Sequence, residues 1–175
     1  MSTSSRLHFK MMSFVHETLY GLFRDPYEAL NAAGLEEGQR VLEVGCGPGF
    51  FTVPAAKVVG ERGSVCALDV SPLAIARVEQ KVEKAGVTNV KTILTDAAHT
   101  DLPDASFDFI FVFGFDRNVR QMGSILPELH RLLKPAGTLA TEGRLWRSSE
   151  LFHSTEPEGH ILEFRKARVL KFRKA

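Results

Sequence analysis

The stretch Gly45-Cys46-Gly47-Pro48-Gly49 puts three glycines into five residues. A turn of this kind bends the backbone sharply and lets a ligand approach the main chain closely. The N–H groups that open a following helix then point at any carboxylate or phosphate placed there. The spacing is G-x-G-x-G rather than G-x-G-x-x-G, and Phe50 stands where a dinucleotide site carries its last glycine or alanine. On the glycines alone, a nucleotide-type cofactor loop and a purely structural turn both remain open. Two acids narrow the choice. Asp69 lies 20 residues past Gly49, where a carboxylate can accept both hydroxyls of a ribose; its other reading is a cap for the helix that begins at Pro72. Asp96 can accept an adenine amino hydrogen while the Ala97 backbone N–H meets a ring nitrogen. Each acid is ordinary by itself, but at consecutive strand ends the pair describes an adenosine pocket.

The elements that must position these residues are legible as alternating patterns. Phe9, Met12, Val15, His16, Leu19, Leu22 and Phe23 recur near helical spacing, giving an amphipathic N-terminal segment. Asp25 caps a short helix with Pro26 in its first turn and Glu28 at the reciprocal position, and Gly34 ends it. Strands are predicted over 41–44, 64–68 (ending on Asp69), 90–95 (ending on Asp96), 107–113 and 138–141. Between them the pattern predicts helices over 51–59, closed by Gly60, and from Ser71-Pro72 to Gly86, with Leu73, Ala76, Val82 and Ala85 on one face. A further helix is expected over 124–133, with Pro127 in its first turn. Strands alternating with helices argue for an α/β fold, a doubly wound and mostly parallel sheet with helices on both faces. Right-handed crossovers then gather the carboxyl ends of the strands on one edge, where such sheets bind ligands. The glycine loop, Asp69, Asp96 and Gly114 all fall there.

Val-Leu-Glu-Val-Gly-Cys-Gly-Pro-Gly (41–49) resembles motif I of the class I S-adenosylmethionine-dependent methyltransferases. Ala-Leu-Asp-Val-Ser (67–71), Thr-Asp-Ala (95–97), Leu-Pro-Asp-Ala-Ser-Phe-Asp (102–108) and Leu-Leu-Lys-Pro-Ala-Gly-Thr-Leu (132–139) resemble the later motifs of that superfamily, in order. The resemblance covers about residues 40–142. It implies a Rossmann-like methyltransferase fold and S-adenosylmethionine as cofactor. It also implies site roles: Gly45, Cys46, Gly47 and Gly49 shape the cofactor loop, and Glu43 anchors the network near the methionine amino group. Asp69 binds the ribose with Val70 against the adenine face, Asp96 and Ala97 hold the adenine edge, and Phe113 and Gly114 flank the methionine and sulfonium end. Fuller members of the superfamily have sheet order 3-2-1-4-5-7-6. Here the chain after Trp146 leaves 29 residues, little room for a last helix, and a shortened C-terminal hairpin is expected through 151–152 and 161–164, packing directly on the fifth strand. Phe-Arg-Lys-Ala occurs at 164–167 and again at 172–175, a duplication with no folding role evident in the sequence.

At 44% hydrophobic and 25% charged residues, 175 residues fit one globular domain with a proper core. The expected division is an N-terminal helical lid segment (1–34), a cofactor-binding core (40–142) and a short hairpin tail (143–175). A net charge of +1 offers no broad field for nucleic acid or an anionic membrane, although basic residues gather from Arg165 to Lys174. Cys46 and Cys66 fall inside core elements, so a reducing, cytoplasmic setting is expected. Neither a signal peptide nor a membrane span is read, and no metal site.

Methyl transfer from a sulfonium is an in-line displacement whose electrophile arrives activated, so the fold has no universal catalytic residue and none is assigned. His8 and His16 on the lid segment, Asp116, Arg117 and Asn118 after the fourth strand, and Trp146 after the fifth are candidates for the acceptor side; His130 is expected to face solvent. Residues 114–119 resemble the same stretch of quinone-biosynthesis C-methyltransferases, but six residues do not decide the acceptor. No Asp/Asn-Pro-Pro-Tyr-type tetrapeptide follows the fourth strand, which disfavours methylation of DNA-base amino groups. A small-molecule acceptor is the expected partner. The alternatives are a cofactor-binding partner or regulatory protein without turnover, and a nicotinamide-dependent oxidoreductase, against which the glycine spacing and Asp96-Ala97 both count.

Overall fold

A computed structural model of the chain describes residues 25–113, 119–142, 160–166 and 169–174. In chain order its elements are α1 (Pro26–Ala33), β1 (Arg40–Val44), α2 (Thr52–Val59), β2 (Ser64–Asp69), α3 (Pro72–Ala85), β3 (Val90–Leu94), β4 (Phe107–Val112), α4 (Val119–Leu132), β5 (Leu133–Glu142), β6 (His160–Lys166) and β7 (Val169–Lys174). All seven strands form one sheet in the order β3-β2-β1-β4-β5-β7-β6. β1 to β5 pair in parallel, and β7 runs antiparallel to both β5 and β6. This is the doubly wound sheet the alternation predicts.

Burial follows from the order. β1 and β4 lie centrally and are buried almost throughout, as strands covered on both faces are. One face carries Leu42, Leu68, Ile110 and Leu139 against Ile125, Leu126, Leu129 and Leu132 of α4. The other carries Val41, Val65, Phe109 and Phe111 against Leu30 and Ala33 of α1 and Ala55, Ala56 and Val59 of α2. The starts and stops are chemical. Asp25 Oδ1 accepts from the Tyr27 N–H at 2.9 Å to cap α1, and Ser71 Oγ accepts from the Ala74 N–H to cap α3. Gly34 and Gly86 close the same helices in the left-handed conformation.

Three expectations are corrected. The face of α3 that packs inward is Ala74, Ile75, Val78 and Val82, against Cys46 and Ala67; Ala76 and Ala85 are exposed. Because Ser71 caps the helix, the first inward position after Pro72 is Ala74, and the i, i+4, i+8 series from it excludes Ala76 and Ala85. α4 begins at Val119 rather than 124, so Pro127 lies inside the helix. Tertiary packing of Ile125, Leu126 and Leu129 on the sheet outweighs the proline penalty there. His130, expected in solvent, is half-buried at the end of α4.

The hairpin is also different from the one expected. Its arms are β6 and β7, joined in antiparallel register from His160↔Lys174 to Lys166↔Val169, and the 151–152 arm falls outside the described residues. The two Phe-Arg-Lys copies are therefore the two arms of one hairpin. Leu170-Lys171-Phe172-Arg173 alternates apolar and basic residues, the period of a strand. β7 packs directly on β5, which completes the sheet order of fuller superfamily members. Lys174 adds a second attachment, donating from Nζ to the carbonyls of His130 and Leu133 at 2.7 Å each. A cation on the terminal carbonyls of a helix is favourable both as a hydrogen-bond donor and against the helix dipole. Lys174→Met keeps the aliphatic stem and loses both bonds; it is expected to cost about 1–2 kcal/mol in urea unfolding. An unchanged unfolding midpoint would show that this attachment carries no stability.

Among the described residues, no helix is long and apolar enough to cross a membrane.

Candidate functional site

The loop at 45–49 follows β1 and lies against the carboxyl end of β2. Gly45, Gly47 and Gly49 all have positive φ, at 70°, 50° and 77°. The loop is tied down from three sides. The Gly45 and Cys46 N–H groups both donate to the Leu68 carbonyl, at 2.9 and 3.0 Å, and Gly49 N–H closes a turn onto the Cys46 carbonyl at 2.9 Å. Gly47 N–H donates to Asp69 Oδ2 at 2.9 Å. The other oxygen of that carboxylate, Oδ1, accepts from Ser71 N–H at 2.8 Å. Asp69 is thus the joint between the glycine loop and the start of α3. Its two sequence readings are not exclusive, since Ser71 provides the side-chain cap of α3 and Asp69 orders the turn before it.

α2 begins right after the loop. Unlike α1 and α3, it has no side-chain cap: Phe51 occupies the cap position without a hydrogen bond to the first turn. Among the described residues no side chain caps the N–H groups of that turn. Thr52, which could have capped a helix elsewhere, instead donates from Oγ1 to Glu43 Oε2 at 2.6 Å, and both side chains are buried. Glu43 lies on β1 under the loop. Burial pushes its carboxyl up to about 8; the Thr52 hydrogen bond opposes the rise, the Asp69 charge adds to it, and Lys81 on α3 opposes it. The neighbouring Cys46 thiol is also pushed up, by burial first and then by the Glu43 and Asp69 carboxylates. A thiol raised in that way is not a nucleophile at neutral pH.

Gly49 is the position where glycine is demanded twice. Its φ is left-handed, and a Cβ there would stand 3.0 Å from Cγ2 of Val78 and 3.5 Å from Oγ1 of Thr52. Gly49→Ala is expected to cost about 2 kcal/mol of stability through backbone strain and the pressure on α3. Cofactor affinity is expected to fall with it, since Thr52 and the start of α2 must shift. Denaturant unfolding and ligand titration on the same variant check both effects.

Beside the loop lies a cavity of about 210 Å³ lined by Val44, Gly45, Leu68, Asp69, Val70, Asp96, Ala97, Ala98, Ser124 and Ile125. The structure therefore brings Gly45, Asp69, Val70, Asp96 and Ala97 to one recess. Val70 is 69% exposed at its lip, an apolar side chain without apolar cover among the described residues. Asp96 Oδ1 accepts from Ala98 N–H at 2.9 Å, which folds the turn that forms the wall. The other candidate residues are placed differently. Glu43, Cys46, Gly47 and Gly49 belong to the loop and its floor rather than the recess. The Phe113 ring is buried, 5.2 Å from Phe51 and 5.1 Å from Phe111 between ring centroids, so it supports the loop from below. Gly114, Asp116, Arg117, Asn118, His8, His16 and Trp146 lie outside the described residues.

Sequence reasoning missed Ala98, Ser124 and Ile125 in the wall and Thr52 in the floor. The first could have been read from the Asx-type turn at Asp96-Ala97-Ala98, but Ser124 and Ile125 come from α4, and their place in the wall depends on how that helix packs on the sheet. A set of ionic contacts joins these two walls. Glu128 on α4 accepts from the N–H and hydroxyl of Thr100, at 2.9 and 2.6 Å, and pairs with Arg131, which also reaches the Thr100 and Leu102 carbonyls and Asp104. Arg131 and Thr100 together hold the Glu128 carboxyl down at about 2. The loop after Asp96 is thereby locked to the helix that carries Ser124 and Ile125.

Residues 41–137 match a methyltransferase-domain family. A demethylmenaquinone methyltransferase of Geobacillus stearothermophilus is 37% identical over 111 residues, covering 63% of this chain and 47% of that protein. One from Listeria welshimeri is 35% identical over 114 residues, covering 65% and 48%. The chain thus spans about half the length of the curated relatives it matches. Among solved structures, a SAM-dependent methyltransferase from Aquifex aeolicus superposes with TM-score 0.76 at 28% identity, covering 95% of each chain. TrmN from Thermus thermophilus superposes with TM-score 0.74 at 21% identity over 86% of this chain and 48% of its own, a likeness of fold alone.

Proposed function

This chain belongs to the class I S-adenosylmethionine-dependent methyltransferase family, and from that membership we propose that it binds S-adenosylmethionine and methylates a small-molecule acceptor. The observation that carries the reading is the recess beside the glycine loop, with a carboxylate at each of two neighbouring strand ends and an apolar wall between. Its volume, about 210 Å³, is below the roughly 300 Å³ at which pockets begin to enclose a whole drug-sized ligand. It suits one moiety, the adenosine, with the remainder of the cofactor running over the loop.

The donor and acceptor inventory fits that group. Each Asp69 oxygen is engaged by one backbone N–H and keeps a lone pair for a ribose hydroxyl. Asp96 and the Ala97 N–H would hold the adenine edge, and Val70 with Ile125 would cover its faces. The uncapped first turn of α2 would receive the methionine carboxylate. When bound, the cofactor supplies a methyl group on a sulfonium, already activated for displacement. The chain's residues then have to hold that end in place and keep water away from it. The buried Phe51, Phe111 and Phe113 rings pack together beneath the start of α2, next to the loop.

The names of the curated relatives make demethylmenaquinone the first acceptor to try. The setting we propose is cytoplasmic, consistent with two buried free thiols. Calorimetric titration of the purified chain with S-adenosylmethionine and with S-adenosylhomocysteine tests the cofactor reading; no heat for either ligand would overturn it. Incubation with methyl-labelled cofactor and demethylmenaquinone tests the acceptor, and label that stays on the cofactor would remove that acceptor from consideration.

A further inference from the structure

The basic residues at the end of the chain take no part in the cofactor recess, and β7 gives three of them a place. Successive side chains of a strand point to opposite faces. Lys174 goes to the face that carries α4, where it donates to the His130 and Leu133 carbonyls. Lys171 and Arg173 belong to the other face, on the side of α1. Lys171 Nζ lies 3.1 Å from the point that a Cβ on Gly34, the residue closing α1, would occupy. On that side Lys171 and Arg173 line a cavity of about 270 Å³, together with Lys134 and Thr138 of β5, Asp108 of β4 and Glu36 from the connection between α1 and β1. Lys134 and Asp108 stand at the amino ends of their strands, so the cavity lies at the edge of the sheet opposite the glycine loop.

Three cations and two acids line this cavity. One of the acids is already occupied: Asp108 Oδ1 accepts from Lys134 Nζ at 2.7 Å, and its Oδ2 accepts from the Arg40 N–H at 2.9 Å. That pair holds Lys134 at the wall and leaves its ammonium with further donors. Lys171 and Arg173 also interact within the protein, and an ammonium with three donors or a guanidinium with five can serve a ligand beside a partner. Ala136, also in the wall, has a φ of 60°, a conformation that strains an alanine and that collects at ligand sites.

We propose that this cavity binds a phosphate-bearing anion, held between the Arg173 guanidinium and the ammonium groups of Lys134 and Lys171. A phosphate suits this wall better than a carboxylate does. Its oxygens point in several directions and can accept from separate cations, and the guanidinium fork matches two of them. A planar carboxylate would engage Arg173 and leave the lysines unmet. The volume is below the roughly 300 Å³ at which pockets begin to enclose a drug-sized ligand, so it fits a phosphate or diphosphate group rather than a whole nucleotide. The second Phe-Arg-Lys copy thereby divides its charges, with Arg173 at the anion site and Lys174 on the end of α4. The proposal stands apart from the cofactor reading, since the cavity and the cofactor recess share no residue.

The test titrates the full chain with sodium pyrophosphate in a calorimeter, at an ionic strength held constant with sodium chloride. Saturable binding is expected for the unaltered chain, weakened about tenfold or more in Arg173→Gln and lost when Lys171→Met is added. Lys174→Met removes the same charge from the other face of β7 and should bind pyrophosphate within about twofold of the unaltered chain. Arg173 is exposed, so Arg173→Gln should fold, and its affinity for S-adenosylhomocysteine should match that of the unaltered chain. Pyrophosphate should also raise the unfolding temperature of the unaltered chain and leave that of the double variant in place. A second arm measures co-sedimentation with vesicles of phosphatidylglycerol in phosphatidylcholine. Pyrophosphate binding without co-sedimentation assigns the site to a free anion; co-sedimentation that Arg173→Gln weakens and pyrophosphate displaces assigns it to a lipid headgroup. No saturable binding in either arm overturns the proposal. Equal losses in Lys174→Met and Arg173→Gln overturn it too, because the effect would then be one of overall charge.

Discussion

Replacing Asp69 with alanine is expected to lower cofactor affinity by at least a hundredfold, the largest loss for any single side chain at this site. The reason is that one carboxylate does two jobs. Its oxygens hold Gly47 N–H at 2.9 Å and Ser71 N–H at 2.8 Å, and its remaining lone pairs are the ones assigned to the ribose. Hydrogen bonds to a charged acceptor contribute about 1.5–3 kcal/mol each. Losing two of them to the ligand is therefore about 3 kcal/mol or more, which already corresponds to a hundredfold, before the loop itself relaxes. Asp69→Asn separates the two jobs. An amide presents one acceptor oxygen and one donor nitrogen, so it can keep one of the backbone bonds and must lose the other. Asn is therefore expected to fall between aspartate and alanine in affinity. Calorimetry with S-adenosylhomocysteine reads the loss, and thermal unfolding of the ligand-free variants reads how much of it comes from the loop. An alanine variant that binds within a few-fold of the unaltered chain would show that Asp69 only orders the turn.

The same residue shows what can and cannot be read from sequence. Asp69 is visible because its place is set by short-range chemistry: a parallel strand ends, a helix cap follows at Ser71, and the side chain must fall on the ligand edge of the sheet. Glu43 is visible only through the resemblance of residues 41–49 to motif I. What the sequence does not carry is who meets whom across the fold. Thr52 looks like an ordinary helix-start threonine, and its bond to Glu43 exists only because α2 and β1 flank one loop. Ser124 and Ile125 fall inside the helix expected over 124–133, but only the packing of α4 on the sheet brings them to the pocket wall. The hairpin is a similar case. A repeated Phe-Arg-Lys-Ala reads as a curiosity until the second copy is seen as β7, wedged between β5 and β6 with Lys174 on the end of α4. Local propensity names the elements; long-range packing decides which of their residues matter.

Glu43→Gln is expected to stabilise the ligand-free chain at neutral and alkaline pH while weakening its hold on the cofactor. The sign follows from linkage. The folded-state value, about 8, lies above the ordinary 4.5, so folding favours the protonated acid. That contribution is fully present below pH 4.5 and is lost as pH rises from there through about 8, because the unfolded chain can release its proton and the folded chain cannot do so cheaply. Between those limits the slope approaches about 1.4 kcal/mol per pH unit. The penalty at pH 8 is therefore a few kcal/mol, on the order of a quarter or more of what a domain of this size has to spare. A glutamine carries no charge to desolvate, has nearly the same shape, and still offers an oxygen to the Thr52 hydroxyl. The difference in unfolding free energy between the variant and the unaltered chain should be small near pH 5 and grow steadily up to about pH 8. Using the difference removes every other titrating group from the comparison. A constant offset across that range would mean that Glu43 is not held as a neutral acid. If the offset grows as expected, the chain keeps under its glycine loop an acid that costs stability as the pH rises through neutrality. A more stable protein that binds less well is the pattern expected of a residue kept for its site rather than for the fold.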